Sequence, residues 1–195
     1  MDFLDADPTW SLVFRDDAAA LYVRRDGPLR PLAVRYGYAV VPAGQEGLTA
    51  LTKACWGDTL IRHRARTELE RMVASSSWNA GAHSMLATLA WFDGDRSRAR
   101  SHLENALAVD PNVRDAHRGL GHIAMTEGRW RDAIRELRSE STLTGARDLD
   151  FVLAVAYQRS GDVRNARSHY RRALALDPAN QTARESLRVL GESPE

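Results

Sequence analysis

Six histidines, one cysteine and a short serine run are the residues of this chain that could ligate a metal or attack a substrate. His117 and His122 are five apart, so on a helix their rings point in different directions, and no His-Glu-x-x-His pattern occurs. Cys55 has Lys53 nearby but no neighbouring histidine, which reads as a packed or surface thiol, not a nucleophile. Ser75-Ser76-Ser77 lacks the Gly-x-Ser-x-Gly setting of a nucleophile elbow. No glycine pattern of the Walker or Rossmann kind is present. The expectation is a chain with no catalytic residues, no metal and no cofactor. The arginines are the other chemical resource. Of 27 basic residues, Lys53 is the only lysine. That bias fits a GC-rich genome, and it also fits guanidiniums chosen for bidentate anion binding.

The composition narrows the classes further. The chain has 195 residues, 44% hydrophobic and 27% charged, enough for one or two domains with a real core. Lysine plus arginine is 27 and aspartate plus glutamate 26, so the formal net charge is +1. A balance this even argues against a dedicated nucleic-acid binder. The longest apolar run, Phe151 to Tyr157, falls well short of the roughly 18–20 residues of a membrane span. The acidic start, Met1-Asp2-Phe3-Leu4-Asp5, lacks the apolar core of a signal peptide. A single cysteine excludes an internal disulfide and a multi-cysteine metal site.

The elements that must carry any function are visible as a repeat. Residues 80–113, 114–146 and 147–180 superimpose with lengths of 34, 33 and 34. Leu86, Leu120 and Leu153 align, each followed by a small residue (Ala87, Gly121, Ala154) and then by Ala90, Ala124 and Tyr157. Gly94, Gly128 and Gly161 align, then Ala99, Ala133 and Ala166, then Leu103, Leu137 and Tyr170. Pro111 and Pro178 close the first and third units, and Gly145 stands in for the second. Each unit reads as two amphipathic helices, A and B, meeting at small residues. The glycine ends helix A, and the residue before proline, pushed out of the α region, ends helix B.

This pattern resembles the tetratricopeptide repeat, W-x₂-L-G-x₂-Y, then A-x₃-F, then P. Leu86-Ala87-x₂-Ala90, Ala99-x₃-Leu103 and Pro111 carry it in the first copy. Leu120-Gly121-x₂-Ala124 and Ala133-x₃-Leu137 carry it in the second. Leu153-Ala154-x₂-Tyr157, Ala166-x₃-Tyr170 and Pro178 carry it in the third. The first tryptophan is replaced by His83, His117 and Asp150. His83 and His117 share a repeat position on adjacent helices, where they can approach one another or fill the packing site of the indole. The resemblance implies an all-α, right-handed superhelix of about three full repeats with flanking helices.

Before the repeats, residues 46–79 read as a degenerate helical pair. Ala65, Leu69 and Met72 match Ala99, Leu103 and Ala106 of a B helix, with Asp58 as N-cap, and the partner helix falls near Gly47 to Cys55. Residues 181–195 hold a capping helix, Gln181 to Leu190, and a fraying tail from Gly191. Residues 1–45 form a different appendage. Trp10–Arg15 and Ala18–Arg25 are β-rich and joined by Asp16-Asp17, a hairpin signal. After Pro28 and Pro31, Leu32 to Val41 reads as helix. A lone hairpin is marginal in water. It either packs on the first helices or has sheet partners upstream of Met1. The stretch WSLVFRDDAAALYVRR also resembles the end of the soluble domain of bacterial GT-C-type membrane glycosyltransferases. That likeness implies an accessory extracytoplasmic domain with catalysis outside this chain.

The predicted interaction surface is the concave face, lined by helix A. The aligned positions are Ser84, Thr88, Trp91 and Phe92 in the first repeat. Arg118, His122 and Met125 follow in the second, and Phe151, Val155, Gln158 and Arg159 in the third. Trp91, Phe92, Met125 and Phe151 would form an apolar patch rimmed by Arg118, His122 and Arg159, with aromatic and arginine residues of the interface hot-spot type. Ser84 and Thr88 stand where chaperone-binding members of the family need a lysine and an asparagine, which argues against capture of a chaperone tail. On the B helices, Glu104, Asp132, Glu136 and Glu140 dilute the arginines, reading as a solvated face. The expected function is a non-catalytic module binding a protein or peptide partner, with no nucleic acid and no membrane span, as a monomer or weak dimer. It is cytoplasmic if the chain is complete, and on the outer face of the membrane if it is the tail of a GT-C-type protein.

Overall fold

The computed structural model describes residues 2–191. Most of its helices pack against the next helix in the chain, and the one sheet among the described residues is a two-stranded hairpin. The chain divides into two compact units, Met1–Val113 and Arg114–Glu195. Residues 192–195 of the predicted tail lie outside the described residues. Among the described residues, no helix is long and apolar enough to cross a membrane.

The first unit opens with α1 (Asp2–Ala6) and the hairpin of β1 (Trp10–Arg15) and β2 (Ala20–Arg24). Helices α2 (Arg30–Tyr36), α3 (Gln45–Gly57), α4 (Thr59–Ser75), α5 (Ala80–Phe92) and α6 (Arg96–Val109) follow. The hairpin finds its support in helices. Leu12 is buried in one core with Tyr38, Val41, Leu51, Cys55, Leu69 and Leu89, and Tyr22 packs against it. The hairpin turn is tied to the α4–α5 loop. Asp17 donates its N–H to the Trp78 carbonyl at 2.9 Å, its carboxylate accepts from Gly81 N, and Ser76 Oγ donates to Asp16.

Two carboxylates hold the irregular segments by accepting backbone N–H groups that would otherwise be orphaned. Asp5 accepts from Ala43 and Gly44 at the start of α3, and also from the Tyr22 hydroxyl at 2.6 Å. Glu68 of α4 accepts from three consecutive amides, Ala39, Val40 and Val41, at 2.7, 3.0 and 2.8 Å. This corrects the expected helix over 32–41. The helix starts earlier, at Arg30, with Pro31 in its first turn where a missing N–H is harmless. It stops at Tyr36 because Gly37 is extended, Tyr38 N turns to the Leu12 carbonyl at 2.8 Å, and the next three amides belong to Glu68. In α4, Ala65, Leu69 and Met72 are fully buried, and Asp58 caps the amides of Leu60 and Ile61.

The second unit contains α7 (Ala116–Thr126), α8 (Trp130–Thr144), α9 (Leu149–Ser160), α10 (Val163–Leu176) and α11 (Gln181–Val189). Leu137, Leu149, Leu153, Tyr157, Tyr170 and Leu187 form its core. Across both units the aligned small residues sit where paired helices touch. Ala99, Ala133 and Ala166 are buried, and the turn glycines 94, 128 and 161 have positive φ. At Gly121 the helices meet closely. A Cβ there would fall 2.7 Å from Leu137 Cγ, and Leu137 is itself fully buried.

Gly121→Val should therefore lower stability by about 2 kcal/mol through overpacking. Chemical denaturation of the purified chain measures this. An unchanged midpoint would mean that the α7–α8 contact is looser than the geometry indicates.

Candidate functional site

The predicted groove residues fall in both units. Ser84, Thr88, Trp91 and Phe92 lie on α5 of the first, and the other seven lie on α7 and α9 of the second. On α5 the Thr88 hydroxyl donates to the Ser84 carbonyl, and the Ser84 hydroxyl is buried without a protein partner. Trp91 is 38% exposed, with the Arg96 guanidinium 6.0 Å from its ring. Phe92 is half-buried. It meets the Trp56 ring edge-on at 4.9 Å, and Arg62 lies over its face. Arg62 and Arg66 both pair with Asp93 at the end of α5.

In the second unit Met125, Phe151 and Val155 are half-buried and pack on the core. Phe151 lies edge-on to Tyr170, whose hydroxyl donates to Gln158 Oε1 at 2.6 Å. Arg118 pairs with Asp148 at 2.8 Å and with Asp115 at 3.3 Å. His122 is half-buried, and Arg159 is exposed. The aromatic side chains thus divide their surface between core and solvent, and Trp91 and Arg159 present the most open surface.

The tryptophan-replacing residues do something that single positions could not reveal. Each repeat carries a polar bridge from helix A to helix B. His83 Nδ1 lies 3.2 Å from His102 Nδ1. His117 Nδ1 lies 2.8 Å from Glu136 Oε2, and His169 Nδ1 lies 2.7 Å from Asp150 Oδ1. The partners are 19 residues apart in every case. His83 and His117 are thus each engaged by helix B of their own repeat. The signal was in the sequence, in the co-alignment of His102, Glu136 and His169, which appears only when both helices are read together.

Glu140 also departs from expectation. It occupies the position of Ala106 and Ala173, and it is fully buried, not solvated. Its carboxylate accepts the amides of Asp115 and Arg118 at 3.1 and 3.3 Å. Asp115 is the one non-glycine residue with positive φ among the described residues, and it makes no side-chain cap bond to the first turn of α7. Glu140 supplies that cap from the neighbouring helix. The like-charged Asp132 and Glu136 are bridged by Arg135, at 2.7 and 3.0 Å.

Family models for the tetratricopeptide repeat match residues 84–140 and 151–180. The chain contains tetratricopeptide repeats. No curated protein sequence matches it. Several solved structures share the fold. MamA is 17% identical over 68% of this chain and 78% of its own, with a TM-score of 0.62. A form of MamA from Desulfovibrio magneticus RS-1 is 16% identical over 75% of this chain and 84% of its own, with a TM-score of 0.59. YrrB, described as a TPR protein with an unusual peptide-binding site, is 17% identical over 73% and 77%, with a TM-score of 0.55. These repeats are all-α helix–turn–helix pairs, here preceded by a small β-hairpin.

Three histidine environments predict a pH dependence of stability for the tetratricopeptide chain. Burial pushes His83 below the ordinary imidazole range, opposed by Asp17. Burial also lowers His102, helped by His83, Arg98 and Arg66 and opposed by Glu70. His122 is lowered by burial and then by Arg118. A base with a depressed folded pKa binds fewer protons in the folded state than in the unfolded chain. Its contribution is complete above about pH 6.5 and is lost as pH falls through the folded value. The Tm should therefore drop between about pH 7.5 and pH 5.5, where the carboxylates remain ionised. His102→Gln should flatten that drop by leaving one imidazole without its charged neighbour. Equal slopes for the two proteins would remove the His83–His102 pair as a cause.

Proposed function

We propose that this chain is a non-catalytic protein–protein interaction module whose helix A surfaces receive a peptide or helix of a partner. The observation that carries the reading is Trp91, a large aromatic on helix A of a repeat that keeps more than a third of its surface in solvent. Tryptophan and arginine are the residue types that dominate interface energetics. In the first unit, affinity comes from Trp91 and Phe92, with Ser84 and Thr88 on the same helix. In the second, it comes from Met125, Phe151 and Val155, with His122 and Gln158 beside them and Arg118 and Arg159 orienting the partner. That a neighbour in fold, YrrB, is described as having a peptide-binding site supports the reading without naming a partner. The alternative, an accessory domain of a membrane glycosyltransferase-like protein, rests on the likeness of the stretch WSLVFRDDAAALYVRR, which forms a hairpin packed on the helices of its own unit.

Trp91→Ala combined with Phe151→Ala should reduce capture of specific partners from source-cell extract at least about ten-fold, with the circular dichroism spectrum retained. Capture equal to that of the unaltered chain would refute the helix A assignment. Light scattering at micromolar concentration should report a monomer or weak dimer, and a tight higher oligomer would contradict this.

A further inference from the structure

A cavity of about 500 Å³ opens in the second unit at the α7–α8 turn. Arg129, Trp130, Arg131 and Asp132 from the start of α8 line it, together with Arg159 and Ser160 from the end of α9. It lies outside the aligned helix A positions except for Arg159. Its charges are unevenly committed. Arg129 is tied to Glu127 at 2.7 Å and to Asp132 at 2.9 Å, and Asp132 is further held by Arg135. Arg131 and Arg159 are exposed, and neither has a carboxylate partner among the described residues. The lining thus holds three guanidiniums against one carboxylate, together with the half-buried indole of Trp130. The corresponding turns of the other repeats carry Asp95 and Asp162, which reverses the local charge relative to Arg129.

We propose that this cavity docks an acidic segment of a protein partner, two of whose carboxylate side chains meet Arg131 and Arg159 while an apolar side chain between them covers Trp130. The proposal rests on the interaction-module reading and deepens it. Charge complementarity selects the occupant. A lining of net charge +2 is matched by two acidic side chains, and guanidiniums take carboxylates in bidentate geometry. The Trp130 indole in the lining supplies apolar area that a simple counter-ion would leave exposed.

The test uses a short fluorescein-labelled peptide with glutamates flanking a phenylalanine, titrated with the full chain and followed by anisotropy. Binding should weaken as salt rises. A version with glutamine for glutamate should bind at least about ten-fold more weakly, and so should the acidic peptide with the Arg131→Glu, Arg159→Glu chain. Arg138→Glu, an exposed arginine of α8 outside the lining, should change binding little. Absence of binding, equal binding of the glutamine peptide, or full binding by the doubly reversed chain would overturn the proposal. Competition by a single-stranded oligonucleotide at equal potency would also overturn it by reassigning the arginines to phosphate. Should the cavity fail while the Trp91/Phe151 variant still loses its partners, the module reading stands and this site alone is withdrawn.

Discussion

Two helices can approach closely only where one of them lacks a side chain at the crossing, and that constraint organises the repeats. Ala87, Gly121 and Ala154 on the A helices and Ala99, Ala133 and Ala166 on the B helices are all buried. Leu103, Leu137 and Tyr170 fill the space beside them. At Gly121 the fit leaves no room for a methyl group. Because the backbones come this close, the turn between them must be short, which is why a glycine with positive φ recurs there. Close approach also places the polar bridges within hydrogen-bond reach. A position 19 residues on in the sequence lies directly across the pair.

Outside the repeat pattern, the limiting problem is the backbone itself. Irregular segments and helix starts leave amides that no ladder satisfies, and here carboxylates satisfy them. Asp5 holds the entry to α3, Glu68 holds residues 39–41, Asp17 holds the entry to α5, and Glu140 holds the entry to α7. Each acts from a distant part of the sequence, so each also fixes tertiary position. A two-stranded hairpin that would be marginal alone is stable here because its turn and its apolar face are both tied to helices.

These two kinds of constraint differ in how far the sequence shows them. Spacing of leucine, alanine and glycine is periodic, and periodicity survives in one dimension, so the helix pairs, the Asp58 cap and the α11 helix were all readable. Long-range hydrogen bonds leave no periodic trace. Nothing about Glu140 distinguishes it from Glu136 until its alignment with Ala106 and Ala173 is taken as a sign of burial. Helix α1 has five residues and no apolar period, and the end of α2 is set by Glu68, about thirty residues away. The groove was legible as a set of positions, not as exposures. How much of Phe151 or Met125 reaches solvent depends on Tyr170 and the neighbouring helices.

In a repeat protein, agreement between copies describes the fold, and disagreement is where individual function can enter without threatening it. The second repeat disagrees most. It has Glu140 in place of alanine, Gly145 in place of proline and Arg129 in place of aspartate. The first two changes are accounted for by stability: Glu140 caps α7, and Gly145 closes α8 in the left-handed conformation. Arg129 has no such account. An aspartate at that site caps the B helix in the other two copies, through Arg98 N and Asn165 N, and the second copy forgoes that bond. A lost N-cap costs about 1 kcal/mol. In its place Arg129 makes ion pairs with Glu127 and Asp132, both partly exposed and so weakened by solvent. The exchange also places a third guanidinium in the cavity lining with Arg131 and Arg159.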